Sequence, residues 1–176
     1  IGILMIPPGG WSVEKLKNDL VRFIPERIFE NGMRYIDYLA QESKSKYLVP
    51  AGGNDYNEIN ERLFKAMLEL SGMENKPILH FIGMDTLEYV KGKEIAIKEI
   101  FNMSQAIKSS NDIGISVVRT GQTLKEEIIN ISEYYIKLIS INSVPFIYGI
   151  KPRTVYYALE VDQEKGFPNI KLSPML

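Results

Sequence analysis

Three short segments of this sequence set polar side chains where apolar runs end, and they are where chemistry would be expected. The first is Asp85, which closes the run Pro77-Ile-Leu-His-Phe-Ile-Gly-Met-Asp85. A carboxylate held by a buried strand is the arrangement that binds Mg²⁺ through water. The plainer reading is that Asp85 caps the turn at Thr86-Leu87. The second is Arg119-Thr-Gly-Gln122, just after the β-branched run Ile113 to Val118. Arg119 and Gln122 could sense a phosphate or a neighbour's state. Thr123 and Glu126 read more simply as a capping box for the helix that follows. The third is Lys151-Pro-Arg153-Thr154. Cations on alternate residues of an extended segment point the same way, so Lys151 and Arg153 could share one phosphate, Arg as a planar fork and Lys as a point charge. On spacing alone, an exposed hairpin with solvated charges is the simpler reading.

Other side chains carry less. His80 is the one histidine and lies inside an apolar run. A satisfied core histidine explains it better than a metal site, since no second His or Cys stands nearby. No Ser-His-Asp grouping forms around it. Pro7-Pro-Gly-Gly-Trp-Ser12 follows a strand and precedes a helix, the right context for a phosphate cradle. It does not match G-x-x-x-x-G-K-[ST], and Gly52-Gly53 is followed by Asn-Asp. The sequence therefore holds no phosphate-binding loop of that type, and no catalytic residue is assigned.

The elements that must position these residues follow from hydrophobic periodicity. Ile3 to Ile6 predict a buried strand. Ser12 predicts a helix N-cap, with Leu16, Leu20, Phe23 and Ile24 at helical spacing and Pro25 closing the segment. Met33 to Leu39 predict a second strand, and Tyr47 to Asn54 a loop. Glu58 to Leu70 and Ile95 to Ile107 predict amphipathic helices. Leu124 to Ile131 predict a short helix. Tyr135 to Ile141, Phe146 to Ile150, Val155 to Val161 and Asn169 to Leu172 predict antiparallel strands, with a turn at Asp162 to Gly166. Strands alternating with helices imply a mostly parallel sheet with helices on both faces. The strand-rich C-terminal extension is expected to continue that sheet in antiparallel fashion. The expected class is thus α/β, with ligands at the carboxyl ends of the parallel strands.

The chain has 176 residues, enough for one domain with a real core, so residues 1–176 are expected to form a single domain. Hydrophobic residues make up 45% and charged residues 24%, which argues against disorder. The net charge of -1 gives no general attraction to nucleic acid or anionic membrane. Cysteine is absent, excluding disulfides and thiolate chemistry. No apolar run approaches a membrane span, so no membrane role and a cytoplasmic location are expected. The chain starts at Ile1 rather than Met, which reads as a fragment, or as the degenerate half of a longer protein.

The order of parts resembles RecA-type ATPases of the KaiC group, and more closely archaeal KaiC-like proteins and the gas vesicle regulator protein D. The stretch that carries most of this likeness is Tyr148-Gly-Ile-Lys-Pro-Arg-Thr-Val-Tyr-Tyr-Ala-Leu-Glu-Val-Asp-Gln-Glu-Lys-Gly-Phe-Pro-Asn-Ile-Lys-Leu-Ser-Pro174. Pro7 to Asp37 is similar to the family segment after the phosphate-loop helix, ending in Asn31-Gly-Met-Arg-Tyr-Ile-Asp37. The resemblance implies a RecA-like sheet. Asp85 would be the Walker B aspartate, a metal ligand. Lys151 and Arg153 would be the pair that reaches across to a neighbouring subunit's nucleotide, with Arg119 and Gln122 also near nucleotide. Ile3 to Ile6 would be the second core strand, with the phosphate loop upstream or lost. The family's glutamate after that strand is replaced by Pro7-Pro8-Gly9, and the nearby acid is Glu14.

Loss of one charge-stabilising group typically costs ~10²–10³ in rate. The resemblance therefore implies a degenerate, non-hydrolysing domain with a regulatory or assembly role. ATP and Mg²⁺ are the ligands it admits, without tight binding to this chain alone. Its partner would be another protein or a homo-oligomer of like domains. Two alternatives stand beside it: an active ATPase with its phosphate loop upstream, and a recombination-type single-strand DNA binder. The acidic balance and short loops do not favour nucleic acid.

Overall fold

The computed structural model describes residues 2–11, 15, 17–18, 25–43, 45, 47–53, 55–72, 76–162 and 169–175. The expected Ser12 N-cap, the helical face of Leu16, Leu20, Phe23 and Ile24, the acid Glu14, and most of the Asp162 to Gly166 turn lie outside these residues. The chain divides into two compact units, Ile1–Ile128 and Ile129–Leu176.

The first unit is built on five parallel strands: β1 (Gly2–Ile6), β2 (Met33–Asp37), β3 (Leu48–Pro50), β4 (Ile78–Gly83) and β5 (Ile113–Val117). Their order is β3-β2-β1-β4-β5. Every pairing is parallel, with Ile3 opposite Met33 on one side and Leu79 on the other. The strands are rich in Ile, Leu, Val and Met because a parallel sheet flanked by helices buries both faces.

The flanking helices are α1 (Glu26–Gly32), α2 (Tyr56–Ser71), α3 (Met84–Lys91) and α4 (Lys93–Ser109), with α5 (Lys125–Ile131) after β5. Asp55 starts α2 by accepting from the N–H groups of Asn57 at 2.9 Å and Glu58 at 3.2 Å. Ile59, Ala66 and Leu70 of α2 and Ala96 and Ile100 of α4 are buried at helical spacing. A second cluster gathers Met5, Phe29, Met33, Tyr35 and Tyr47. Tyr47 meets both Phe29 and Tyr35 edge to face, with centroids 5.6 Å and 6.3 Å apart. Arg34 is buried in β2, and its charge is met by Glu69 at 3.0 Å and by the Glu30 and Met33 carbonyls, each at 2.8 Å.

Two expectations change here. The Tyr47 to Asn54 segment holds the short strand β3, paired with β2 from Tyr35↔Leu48 to Asp37↔Pro50. Three residues are too few to show a period. The apolar run before Asp85 ends its strand at Gly83, and Met84 and Asp85 open α3. Met84 and Leu87 are buried one turn apart, so apolar character continues while the backbone changes from strand to helix. Pro25 stands at the N-cap of α1, where its fixed φ and missing N–H cost little.

The second unit contains β6 (Tyr135–Ile141), β7 (Val144–Lys151), β8 (Tyr157–Asp162) and β9 (Asn169–Pro174). They form an antiparallel sheet in sequence order. The strands expected in the C-terminal extension are present, but they make a sheet of their own instead of continuing the parallel one. Among the described residues, no helix is long and apolar enough to cross a membrane.

Candidate functional site

β1 lies between β2 and β4, so successive connections leave it in opposite directions. Such a switch point opens a crevice at the carboxyl ends of its strands. The segments that meet there are Pro7 to Gly10 after β1, Asp85 and Thr86 after β4, and Arg119 to Gln122 after β5. Asp85, Arg119 and Gln122 were singled out from sequence for this position, and the fold brings them together.

Their arrangement is a closed set of bonds. Asp85 Oδ2 accepts the Gly9 N–H at 3.0 Å, and Oδ1 accepts the Thr86 N–H at 3.0 Å. Arg119 Nε lies 2.9 Å from Asp85 Oδ2, and Arg119 Nη2 donates to the Gly9 carbonyl. The Asp85 side chain is 19% exposed and that of Arg119 57%. The charge of Asp85 is therefore met by a partly solvated guanidinium and by backbone donors. Arg119 N–H donates to Gln122 Oε1 at 3.1 Å, and Gln122 N–H donates back to the Arg119 carbonyl at 3.2 Å. Thr86 Oγ1 donates to the Pro7 carbonyl at 2.7 Å. The Trp11 N–H donates to the Pro8 carbonyl at 3.1 Å and closes the turn between them.

Glycine makes the close approach possible. A Cβ on Gly9 would stand 2.9 Å from Asp85 Oδ2, and one on Gly83 would stand 2.4 Å from the Pro8 nitrogen. Without Gly83, which no local pattern marks, β4 and the Pro7-Pro8 turn could not come this near.

Two consequences bear on chemistry. A cation at Asp85 would have to share Oδ2 with Arg119 and Gly9. Among the described residues, no three His, Cys, Asp or Glu side chains cluster to hold a metal. Gln122 Nε2 is buried without a hydrogen-bond partner among the described residues, so one donor stays unused beside Arg119. The Thr123 hydroxyl, expected to cap α5, donates to the Glu88 carboxylate of α3.

Lys151 and Arg153 belong to the second unit. The chain turns just after Lys151, which ends β7, in line with the exposed hairpin that is the simpler reading of their spacing. The Lys151-Pro152 bond is cis, and Ile150 bridges to Arg153. Thr154 N–H donates to the Gly149 carbonyl at 3.1 Å, and Gly149 N–H donates to Thr154 Oγ1 at 2.8 Å. Proline and a side-chain hydroxyl favour the turn over an extended strand. Lys151 Nζ lies 2.5 Å from the Ser132 carbonyl and 3.5 Å from that of Ile129, at the end of α5. A cation there satisfies carbonyls that a helix end leaves open. Arg153 is exposed.

His80 is buried in β4, with Nε2 3.1 Å from Asp112 Oδ2. Asp112 Oδ1 also accepts the Ile78 N–H at 2.8 Å. Burial alone would raise the Asp112 carboxyl. The Ile78 N–H, His80 and Ser110 outweigh that and hold it below its ordinary range.

No family model matches the chain, and no curated protein matches it. One solved structure similar to it is an uncharacterized protein from Pyrococcus horikoshii, determined in complex with an unknown peptide. The two share 16% sequence identity at a TM-score of 0.64, over 98% of this chain and 79% of that one. At this identity the likeness extends to the fold: a five-stranded parallel sheet flanked by helices, with a four-stranded antiparallel sheet at the C-terminal end.

Proposed function

We propose that this chain is a non-hydrolysing, RecA- and KaiC-like cytoplasmic domain that acts in regulation or assembly. The observation that carries the proposal is the Asp85 carboxylate. It follows the end of β4 in the first turn of α3, and it is engaged by Arg119 Nε and the Gly9 N–H. A hydrolytic site needs that carboxylate turned toward a metal, and a lysine on the phosphates. The sequence supplies neither a phosphate-loop lysine nor a glutamate after β1. Arg153, exposed on its turn, is the residue left to reach a partner's nucleotide. Isothermal titration of the chain with MgATP, repeated with Asp85→Ala, tests this. The expected result is no detectable binding. Tight binding that disappears in Asp85→Ala would overturn the proposal.

A second reading has its own observation. β5 is the outer strand of the parallel sheet, and its Ile113 and Ile115 are exposed. An apolar, β-branched edge is suited to accept an extended peptide as a further strand. The Pyrococcus protein was determined in complex with an unknown peptide. Selection from a random peptide library, with Ile115→Lys as the control surface, tests it. Enrichment of apolar extended sequences that Ile115→Lys abolishes is the expected result, and equal enrichment on both would exclude β5.

A further inference from the structure

α3 is the short helix that follows β4, and its contacts trace where it lies. In its first turn, Asp85 Oδ2 accepts the Gly9 N–H at 3.0 Å and stands 2.9 Å from Arg119 Nε, and Thr86 Oγ1 donates to the Pro7 carbonyl at 2.7 Å. Midway along, Glu88 accepts the Thr123 hydroxyl. At its end, Lys91 Nζ stands 5.1 Å from the centre of the Tyr38 ring. Gly83 ends β4, Pro7 follows β1 and Tyr38 follows β2. These strands are neighbours in the order β2-β1-β4, so α3 runs from the end of β4, past that of β1, to that of β2. The lengths agree. The 8 residues of α3 cover roughly 12 Å, and two strand spacings cover roughly 10 Å. α3 therefore lies across the carboxyl ends of three neighbouring strands, over the switch point beside β1.

Three features make this helix separable from the sheet. The polar contacts named above reach loops rather than strands, and water can replace them when they part. Apolar burial within α3 is confined to Met84 and Leu87, so it holds the helix down at two points. Both ends are glycines, Gly83 at the N-cap and Gly92 after Lys91. Gly92 has a φ of +78°, a conformation open to glycine that lets the chain change direction between α3 and α4. Across that bend Lys91 Nζ lies 3.8 Å from Glu99 Oε1.

We infer that α3 is a lid over the switch-point crevice, which pivots at Gly83 and Gly92 and opens while the sheet, α2 and α4 stay folded. Opening draws Asp85 away from Gly9 and Arg119 and uncovers the loops after β1 and β5. Asp85 and Glu88 latch the near part of the lid, and Lys91 latches its far end. The motion is a local opening of the kind that precedes global unfolding. The inference concerns the first unit alone and stands whether or not the crevice takes a nucleotide.

Thiol labelling tests it. The sequence has no cysteine, so Leu87→Cys puts one thiol in the buried side of α3 and Ile100→Cys one in that of α4. In each variant, urea unfolding gives the population of the globally unfolded form, which sets the slowest labelling rate. Ile100→Cys should label with iodoacetamide at that rate. Leu87→Cys should exceed it by about a hundredfold, through lid opening. Adding Leu70→Ala, in the buried face of α2, lowers global stability and should leave Leu87→Cys labelling unchanged. Adding Asp85→Asn should speed that labelling about thirtyfold, equivalent to about 2 kcal/mol. Hydrogen exchange of the wild-type chain draws the same distinction with Leu87 in place. Amides of residues 88–91 should exchange through an opening that urea below the unfolding transition leaves unchanged, and those of residues 97–104 through one that urea promotes. Leu87→Cys labelling at the global rate, or faster in step with Leu70→Ala, overturns the inference. So does exchange of residues 88–91 that follows urea as α4 does.

Discussion

Arg119 Nε stands 2.9 Å from Asp85 Oδ2, and the same Asp85 oxygen accepts the Gly9 N–H at 3.0 Å. One carboxylate thus joins the loops after β1, β4 and β5 at the switch point. Replacing it should loosen all three. Asp85→Asn keeps the size but removes the charge, and the expected loss is about 2 kcal/mol, since hydrogen bonds to charged groups contribute roughly 1.5–3 kcal/mol. Urea unfolding of the variant checks this. Arg119→Ala should cost less, because its guanidinium is largely solvated and water can replace it.

Gly83 offers a harsher test of the same crevice. A Cβ there would lie 2.4 Å from the Pro8 nitrogen and 2.5 Å from its Cα. Both are backbone atoms and cannot rotate away. Gly83→Ala should destabilise by about 3 kcal/mol or more, at or above the upper end of overpacking costs. Gly10→Ala meets no atom within 4 Å, but its φ of +81° is unfavourable for a side chain. It should cost only about 1 kcal/mol. Thermal melts of the two variants separate steric clash from backbone strain.

Acid should release the His80–Asp112 contact through its carboxylate. The Asp112 carboxyl is held below its ordinary value of 3.8 by the Ile78 N–H, His80 and Ser110, acting against burial. A carboxyl lowered on folding adds stability that is complete above its unfolded pKa and lost as pH falls through the folded one. Stability should therefore decline below about pH 4. Asp112→Asn should be less stable at pH 7 and flatter across that window, as followed by urea midpoints at stepped pH.

Alkali should act through Tyr35 and Tyr38. Burial raises both phenols well above their ordinary 10.0, with Tyr47 adding to the shift at Tyr35 and Glu99 at Tyr38. A phenol raised on folding adds stability that is complete below the unfolded pKa and lost as pH climbs toward the folded one. Stability should fall above about pH 10. The Tyr35 hydroxyl is buried without a hydrogen-bond partner among the described residues. Tyr35→Phe should therefore be neutral or stabilising by about 1 kcal/mol at pH 7 and lose less at pH 11. Thermal midpoints at the two pH values measure it.

Lys151→Met removes a cation from the carbonyls of Ile129 and Ser132 while keeping an apolar stem. The expected cost is about 0.5–1 kcal/mol, as for a cation at a helix end. A much larger loss of stability in chemical unfolding would show that the contact holds more than the end of α5.

The class of fold was legible because local pattern and burial agree. Apolar runs at Ile3 to Ile6 and Ile78 to Ile82 marked strands buried on both faces, and the β-branched run Ile113 to Val117 marked a further strand, which leaves Ile113 and Ile115 exposed. The 3.6-residue period at Ile59, Ala66 and Leu70 could only be a helix lying on them. Alternation from Tyr135 onward marked antiparallel strands, but not that they form a sheet of their own. Asp85, Arg119 and Gln122 were legible as candidates because ligands gather where parallel strands end.

Pairing between distant segments left no such trace. No local pattern says that Asp85 faces Arg119 across the crevice rather than a cation, since a carboxylate at a strand end serves either. α3 was hidden because Gly83 passes from strand to helix with no polar loop between. The spacing of Lys151 and Arg153 did not show that Lys151 meets the carbonyls of Ile129 and Ser132. The sequence by itself determined the elements, through periodicities that each segment carries alone. Only the tertiary structure decided which charges meet, because that depends on register between strands far apart in the chain.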